Sequence, residues 1–426
     1  MPPWPPRWTG VSTPGRYAVL DALDALDAGA SVLLFSDNVP VADEVRLKEL
    51  AAARGLLVMG PDCGTAVIGG VGLGFANVVR PGPVGLVAAS GTGAQHVLSL
   101  LDAAGVGVSH CLGVGGRDLS SAVAGRSTLA ALDALDADEG TELILVVSKP
   151  PAPEVADKVR AHAATLSTPV VFALLGFGAP DLTAAVEGVL GTLGRPVPAP
   201  WPVWHPASRP ASRGDALRGL FAGGSLCDEA MVLASAVLGP IGSNIPLRPE
   251  WTVHSGPDRG HTMLDLGSDE LTLGRPHPMI DGSLRLEHLR AEAADPSCAV
   301  VLLDVVLGYA ADPDPAASLA PAIGAIRGPA VVVSLTGTAG DPQGLYRQAE
   351  ALRDAGATVF LSNAQAARYA VGLIDGRPPP DGPVPAATPA TPAGPVPGAT
   401  PAGPVPAATP AGPVPGATPA GPEAGS

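Results

Sequence analysis

Residues Val84–Ser120 read VGLVAASGTGAQHVLSLLDAAGVGVSHCLGVGGRDLS. The apolar run Val84–Ala89 predicts a buried parallel strand. It stops at Ser90-Gly91-Thr92-Gly93, and Val97, Leu98, Leu100 and Leu101 begin a helical pattern at once. A Ser/Gly/Thr turn between a strand and a helix aims free backbone N–H groups from a helix N-terminus, a site suited to phosphate. A second apolar run, Val106–Val114, stops at Gly115-Gly116-Arg117-Asp118. The two loops are expected side by side at the carboxyl ends of neighbouring strands, where open α/β sheets bind ligands. One offers dipoles and hydroxyls, the other a fixed positive charge.

The same alternation extends both ways. Residues 1–9 are Pro- and Trp-rich and read as disordered. A first domain, 10–82, begins with a short strand at Gly10-Val11-Ser12. Its first helix spans 17–29, with Val19, Leu20, Leu23 and Leu26 on the inner face. Strands follow at Ser31–Ser36 and Leu56–Met59, with a charged helix, Ala42–Arg54, between them. Three strands and no G-x-G-x-x-G in residues 1–60 make this a partial mononucleotide-binding fold, shortened at its front. A second domain, 83–193, continues from the quoted stretch through a helix at 121–137 and strands at Glu142–Val147 and Val170–Leu175, in a flavodoxin-like order. Residues 194–213 hold six prolines and read as a linker. A third domain, 214–376, restates the second: strand Leu217–Ala222, turn Gly223-Gly224-Ser225, helix Leu226–Leu238, then strands at Met263–Leu266, Ala299–Val306, Val331–Leu335 and Thr358–Leu361. Residues 377–426 repeat AGPVPGATP-like units at a nine-residue period, with proline too dense for helix or sheet. The fold class is therefore α/β.

Composition bounds the function. The 426 residues carry a net charge of −15, which argues against nucleic acid and anionic membranes as partners. Any anion site must be local. The four cysteines are widely spaced without CxxC, so neither disulfide nor metal site is indicated. No apolar run reaches the ~18 residues of a membrane span. Without a secretory signal at the start, the chain reads as cytoplasmic.

Each candidate residue has two readings. Ser90 is either a phosphate contact, with Gly91, Thr92 and Gly93, or a plain helix N-cap. The pattern Ala88-Ala89-Ser90-Gly91-Thr92 lacks the glycines of a nucleophile elbow. Gly223, Gly224 and Ser225 form a second candidate anion turn of the same design. Arg117 either holds a carboxylate or phosphate or pairs with Asp118 at the surface. Lys149, at a strand's carboxyl end, is either functional or solvated. Arg275 and His277 sit between prolines; His277 is an acid/base, a transient phosphoryl acceptor or an ordinary loop histidine. Asp304, in a Val/Leu strand, is solvated at the strand end or paired with Arg275 or a ligand. His96 reads as facing solvent.

Long motifs carry a family resemblance. FSDNV (Phe35–Val39), GLLVMGPDCGTAVI (Gly55–Ile68), FANV (Phe75–Val78), ASGTG, GVGGRDLS and VSKPP resemble the FdrA family, a branch of the succinyl-CoA synthetase-like acyl-CoA synthetases. AGGSL, LDLG, GRPHPMID, LLDVVLG, DPAASL and TGT followed by DPQ continue the likeness, which covers about residues 10–370. It implies a partial Rossmann-like CoA-binding domain followed by two succinyl-CoA-ligase-type flavodoxin domains. The helices after Ser90 and after Ser225 then resemble the two whose N-termini face a phosphohistidine in succinyl-CoA synthetase. The histidine loop itself, GHAGA, is replaced by Gly176-Phe177-Gly178-Ala179-Pro180. The first CoA loop falls in the missing front, and there is no ATP-grasp region. The resemblance therefore implies oxamate carbamoyltransferase chemistry: carbamoyl transfer between oxalurate and phosphate in ureide catabolism, with phosphate as substrate and no cofactor. Ser90, Gly91, Thr92, Gly93, Gly223, Gly224 and Ser225 would hold phosphate; Arg117 and Arg275 would hold carboxylates or the oxyanion; His277 would move the proton. Gly116, Asp118, Lys149, Asp304 and Thr338 would line the substrate. The alternatives are an acyl-CoA synthetase using CoA with a nucleotide-binding partner, and a non-catalytic subunit. Other subunits or a homodimer are the expected partners.

The repeat tail has no means to pack, so truncation at Arg377 is expected to leave the calorimetric melting midpoint unchanged within error. A drop of several degrees would show that the tail docks on the body.

Overall fold

The computed structural model describes residues 7–207, 214–253 and 260–376. The expectations for residues 1–6, for the end of the linker at 208–213 and for the tail from 377 lie outside these described residues. Strand and helix alternate from the first described residues onward. β1 (Trp8–Val11), α1 (Gly15–Asp27), β2 (Ser31–Leu34), α2 (Val41–Ala53) and β3 (Val58–Met59) build a three-stranded parallel sheet in the order β1-β2-β3. Trp8 and Thr9 belong to β1, so the stretch read as disordered is already strand at its end. The inner face of α1 is Ala18, Val19, Ala22, Ala25 and Leu26, whereas Leu20, expected inside, is 63% exposed. Small alanines let the helix lie close to the sheet, and Leu20 falls on the same side as Asp24 and Asp27.

The second sheet is built by β4 (Thr65–Ile68), β5 (Val71–Gly74), β6 (Pro81–Ala89), α3 (Gly91–Ala103), β7 (Val108–Gly113), α4 (Arg126–Asp136), β8 (Leu143–Ser148), α5 (Pro153–Ala163), β9 (Val170–Leu174) and α6 (Leu182–Thr192). Its order is β5-β4-β7-β6-β8-β9. The hairpin β4–β5 precedes the second domain in sequence, yet β4 pairs antiparallel with β7. Helix α4 starts five residues later than the expected 121, because Asp118 ties residues 118–128 into a turn, as described below.

The third sheet comprises β10 (Val203–Trp204), β11 (Ala216–Phe221), α7 (Gly224–Leu238), β12 (Ile241–Gly242), β13 (His261–Asp265), α8 (Asp269–Thr272), α9 (Ser283–Ala294), β14 (Cys298–Val306), α10 (Pro315–Ala325), β15 (Ala330–Thr336), α11 (Leu345–Asp354), β16 (Thr358–Phe360) and α12 (Asn363–Asp375). Its order is β10-β16-β15-β14-β11-β13-β12, with β10 antiparallel to β16. The Pro-rich linker thus contributes an edge strand, and its Trp201 is 1% exposed. Among the described residues, no helix is long and apolar enough to cross a membrane.

In both larger sheets one inner strand, β6 or β11, has neighbours reached in opposite directions. The loop after it therefore opens at a topological switch point, where ligands bind in open α/β sheets. The two domains share one apolar core that joins α3 and α6 to α7 and α12. Polar groups lock that seam. His96 is fully buried there: its Nε2 accepts from the Asn363 N–H (3.2 Å) and its Nδ1 meets Thr336 Oγ1 (3.0 Å). The expected solvent-facing histidine is an interdomain bond, and burial lowers its pKa to about 4. Residues 76–78 reach across to the third domain as well. The Ala76 carbonyl accepts from Tyr309 N–H, and Val78 N–H donates to Asp341 Oδ1 (2.7 Å).

Glu229 of α7 is buried in the seam and accepts from the Leu182 N–H (2.6 Å) and from Asn363 Nδ2 (2.7 Å). Burial raises its pKa from 4.5 to about 7, with Asp181 adding to the rise. The folded state binds this proton more tightly than the unfolded chain, so stability falls as pH rises from about 4.5 to about 7. Glu229→Gln is expected to flatten that slope in urea melts taken across the range. A profile identical to the parent would show that Glu229 does not titrate with folding.

Candidate functional site

Ser90 ends β6 and caps α3: its side-chain oxygen accepts from the Gly93 N–H (2.9 Å). Its hydroxyl in turn donates to Ser225 Oγ at 2.6 Å, in the first turn of α7. Ser90 is therefore the cap of α3, and it also lines a cavity. The starts of α3 and α7 meet head to head, and glycine makes this possible. A Cβ on Gly223 would fall 2.7 Å from Thr92 Oγ1. A Cβ on Gly224 would fall 2.7 Å from Asp265 Oδ2 and 3.0 Å from Lys149 Nζ. Each helix start carries orphan N–H groups and about half a positive charge.

The cavity beside this junction has a volume of about 490 Å³. Ser90, Gly91, Thr92, Gly224 and Ser225 line one side; Asp62, Gly116, Lys149, Asp265 and His277 line others. Its far end reaches Ser12, Thr13 and Asp37 at the strand ends of the first domain. A second cavity, about 350 Å³, shares Asp37, Asp62, Gly116, Lys149 and Asp265 with it and adds Arg117. Lys149 is the one Lys or Arg side chain among the described residues lining the larger cavity.

Carboxylates surround that lysine: Asp265 and Asp228 are buried, while Asp62 is exposed. Burial raises Asp265 to about 6 and Asp228 to about 7, each held back by Lys149. Asp265 Oδ1 accepts from the Gly267 N–H (2.9 Å), leaving Oδ2 beside Gly224. His277 is mostly buried, and burial, with Arg285 adding to it, lowers its pKa to about 4. Its Nδ1 accepts from the Met279 N–H (3.2 Å). The neutral ring therefore carries its hydrogen on Nε2, which lies against Gly267. His277 is thus a hydrogen-bond donor at neutral pH, not a free base.

Five of the expected residues have other work. Arg117 donates to Glu44 Oε2 (2.9 Å) and to the Val39 carbonyl (2.8 Å), and it lines only the smaller cavity. Arg275 is exposed and lines neither cavity. Asp118 is fully buried; it accepts from Lys48 Nζ (2.7 Å), from the Ser127 and Thr128 N–H groups and from Thr128 Oγ1. This holds the loop behind Gly116 and is not a substrate contact. Asp304 pairs with Arg285, not Arg275, and accepts from the Ala222 (2.7 Å) and Gly223 (2.8 Å) N–H groups. It shapes the turn that starts α7 from beneath. Thr338 donates to the Val78 carbonyl (2.7 Å) in the interdomain strap. Gly93 and Gly223 line neither of these two cavities; one supplies the N–H that fixes Ser90, the other the space for Thr92. The sequence reading missed Asp62, Asp265, Thr65 and Gln95. LDLG, ending a strand at the cavity, was the available signal for Asp265.

This chain is 40% identical over 385 residues to the uncharacterized protein YahF of Escherichia coli (strain K12), covering 83% of this chain and 74% of YahF. The chain belongs to the YahF family. Residues 220–373 also match the CoA-ligase family. The alpha subunit of an ADP-forming succinate–CoA ligase from Methanothermobacter thermautotrophicus is 26% identical over 191 residues. That match spans 43% of this chain and 64% of the subunit, less than two thirds of its length. Among solved structures, dinucleotide-forming acetyl-coenzyme A synthetase 1 of Ca. Korarchaeum cryptofilum is similar at 15% identity and a TM-score of 0.32, over 87% of this chain and 84% of that one. YahF-family membership and the CoA-ligase match put the chain in the succinyl-CoA synthetase-like acyl-CoA ligase superfamily.

If the two helix starts serve one anion, Thr92→Asp and Ser225→Asp are each expected to abolish binding of inorganic phosphate in calorimetry, with near-UV circular dichroism unchanged. Losing a charge-assisted hydrogen bond of ~1.5–3 kcal/mol already weakens binding about tenfold or more, and the new carboxylate adds repulsion. Half the phosphate retained in each variant would show two independent sites.

Proposed function

We propose that this chain is the phosphate-binding subunit of an FdrA-type carbamoyl or acyl transferase, acting between oxalurate and phosphate with other subunits. The observation that carries the reading is the Ser90–Ser225 hydrogen bond, which turns two helix N-termini toward one cavity. Phosphate sits at that junction, with Lys149 holding the substrate carboxylate in place of the expected Arg117 and Arg275. A phosphate oxygen attacks the carbamoyl carbon and forms the new C–O bond. The C–N bond to the leaving oxamate nitrogen breaks, and the proton carried by phosphate ends on that nitrogen. Asp265, poised to about 6 beside Gly224, relays the proton. His277 Nε2–H donates to the developing oxyanion.

A second reading, acyl-CoA ligation with a nucleotide-binding partner, is favoured by the CoA-ligase match and by the cavity's extension to Ser12, Thr13 and Asp37. The two separate in one experiment. The protein, with and without candidate partner subunits, is incubated with oxalurate plus phosphate, and separately with acyl-CoA, ADP and phosphate. Carbamoyl phosphate supports the first reading; nucleoside triphosphate supports the second and overturns the first.

Asp265 accepts a proton only when ionised, so the rate is expected to rise through pH about 6 and then level. Asp265→Asn is expected to remove that limb and to lower the rate by about 10²–10⁴. An unchanged pH profile in Asp265→Asn would assign the proton relay elsewhere.

A further inference from the structure

Gln95 stands one turn into α3, is 1% exposed, and lines the cavity. Its amide has a defined orientation. Nε2 donates to the Leu307 carbonyl (3.1 Å), with Asn77 Oδ1 a longer neighbour at 3.4 Å. A backbone carbonyl only accepts, so the nitrogen must face it and the oxygen must point elsewhere. That oxygen, Oε1, has no hydrogen-bond partner among the described residues. A buried acceptor without a donor is costly and calls for one. Of the helix starts beside it, the Gly93 N–H goes to Ser90 and the Ser90 hydroxyl to Ser225.

Other groups around the same cavity are also acceptors. Asp62, Asp265 and Asp269 line it, while Thr65 turns its hydroxyl hydrogen to the Phe75 carbonyl (2.8 Å) and so presents lone pairs. A purely oxygen-bearing group placed against Gln95 Oε1 has no hydrogen to offer it. A neutral group carrying N–H meets complementary acceptors. We infer that Gln95 is a specificity-determining residue whose Oε1 accepts a hydrogen bond from an N–H of the transferred or leaving group, so that the site selects amides and carbamoyl groups over carboxylates and esters. This rests on the reading of the helix junction as the phosphate site and adds to it the chemical class of the second ligand.

The test uses the whole chain and small probes. Inorganic phosphate is titrated first by calorimetry. With phosphate held at saturation, oxamate, N-methyloxamate and N,N-dimethyloxamate are then titrated. Steric bulk would weaken binding from the first methyl group onward. A hydrogen bond to Gln95 is expected to spare N-methyloxamate and to weaken N,N-dimethyloxamate about tenfold, when the last N–H is lost. Gln95→Met keeps the length and removes the acceptor; it is expected to lower oxamate affinity about tenfold, to erase the step at the second methyl group and to leave phosphate affinity unchanged. Because the methylation series is measured on the parent protein, the answer does not depend on the variant folding. Phosphate binding with no step between the one-methyl and two-methyl probes overturns the assignment of Gln95 alone. Absence of phosphate binding overturns the reading of the junction on which it rests.

Discussion

Two helix N-termini of like partial charge repel, and here they are held face to face by a single hydrogen bond between Ser90 and Ser225. Much of the surrounding structure serves to keep them there. The shared core of the second and third domains packs α3 and α7 against common neighbours. His96, Glu229, Thr183 and Asn363 make hydrogen bonds across that seam. At the point of closest approach only glycine fits, because Thr92 occupies the space a Cβ on Gly223 would need. An arrangement that concentrates positive potential without any arginine is stable alone only because side-chain oxygens partly satisfy it. Ser90 caps α3, and the Asp265 carboxyl lies beside the start of α7.

The buried carboxylates divide by what satisfies them. Asp118 and Asp304 sit in apolar surroundings but receive several hydrogen bonds each from backbone N–H groups, a threonine hydroxyl, Lys48 or Arg285. Such groups shape loops: Asp118 the one behind Gly116, Asp304 the one before Gly224. Asp265 is buried, takes one hydrogen bond on Oδ1 from the Gly267 N–H and feels Lys149 across the cavity, and burial raises it to about 6. Groups able to gain or lose a proton at ambient pH are the ones suited to proton transfer.

The strand–turn–helix units at Ser90 and Ser225 were legible because a buried apolar run, a Ser/Gly turn and a helical pattern are all local signals. Their meeting at one cavity follows from the repeated design. Partner choice was not legible. Asp304 next to a charged loop suggested Arg275, but the residue that reaches it is Arg285 on the following helix. Arg117 had a functional look in GGRD, yet its nearest acid, Glu44, comes from α2 of another domain. The hairpin at 65–74 carried a readable signal in Gly69-Gly70, both with positive φ (57° and 81°), the geometry of a tight two-residue turn. It was passed over because its strands pair with β7, more than thirty residues on. Gln95 could not be singled out at all: a glutamine on a helix is ordinary, and only the loss of a partner for one of its two amide atoms distinguishes it.

A chain of net charge −15 that binds an anion must do so against its own long-range field. A basic cluster would be one solution, but Lys149 is the sole Lys or Arg among the described residues lining the larger cavity. Backbone dipoles are the other. They act at short range and are worth most where water is excluded, as at a junction whose serines are nearly buried. The same field disfavours a polyanionic second ligand, because each added negative charge meets Asp62, Asp265 and Asp269 at once. A substrate with one carboxylate for Lys149 and an N–H-bearing acyl group for the acceptors suits this division better than a polyanion. On the proposed function, the acidity of the chain confines phosphate to the helix junction and leaves the rest of the cavity to hydrogen-bond donors.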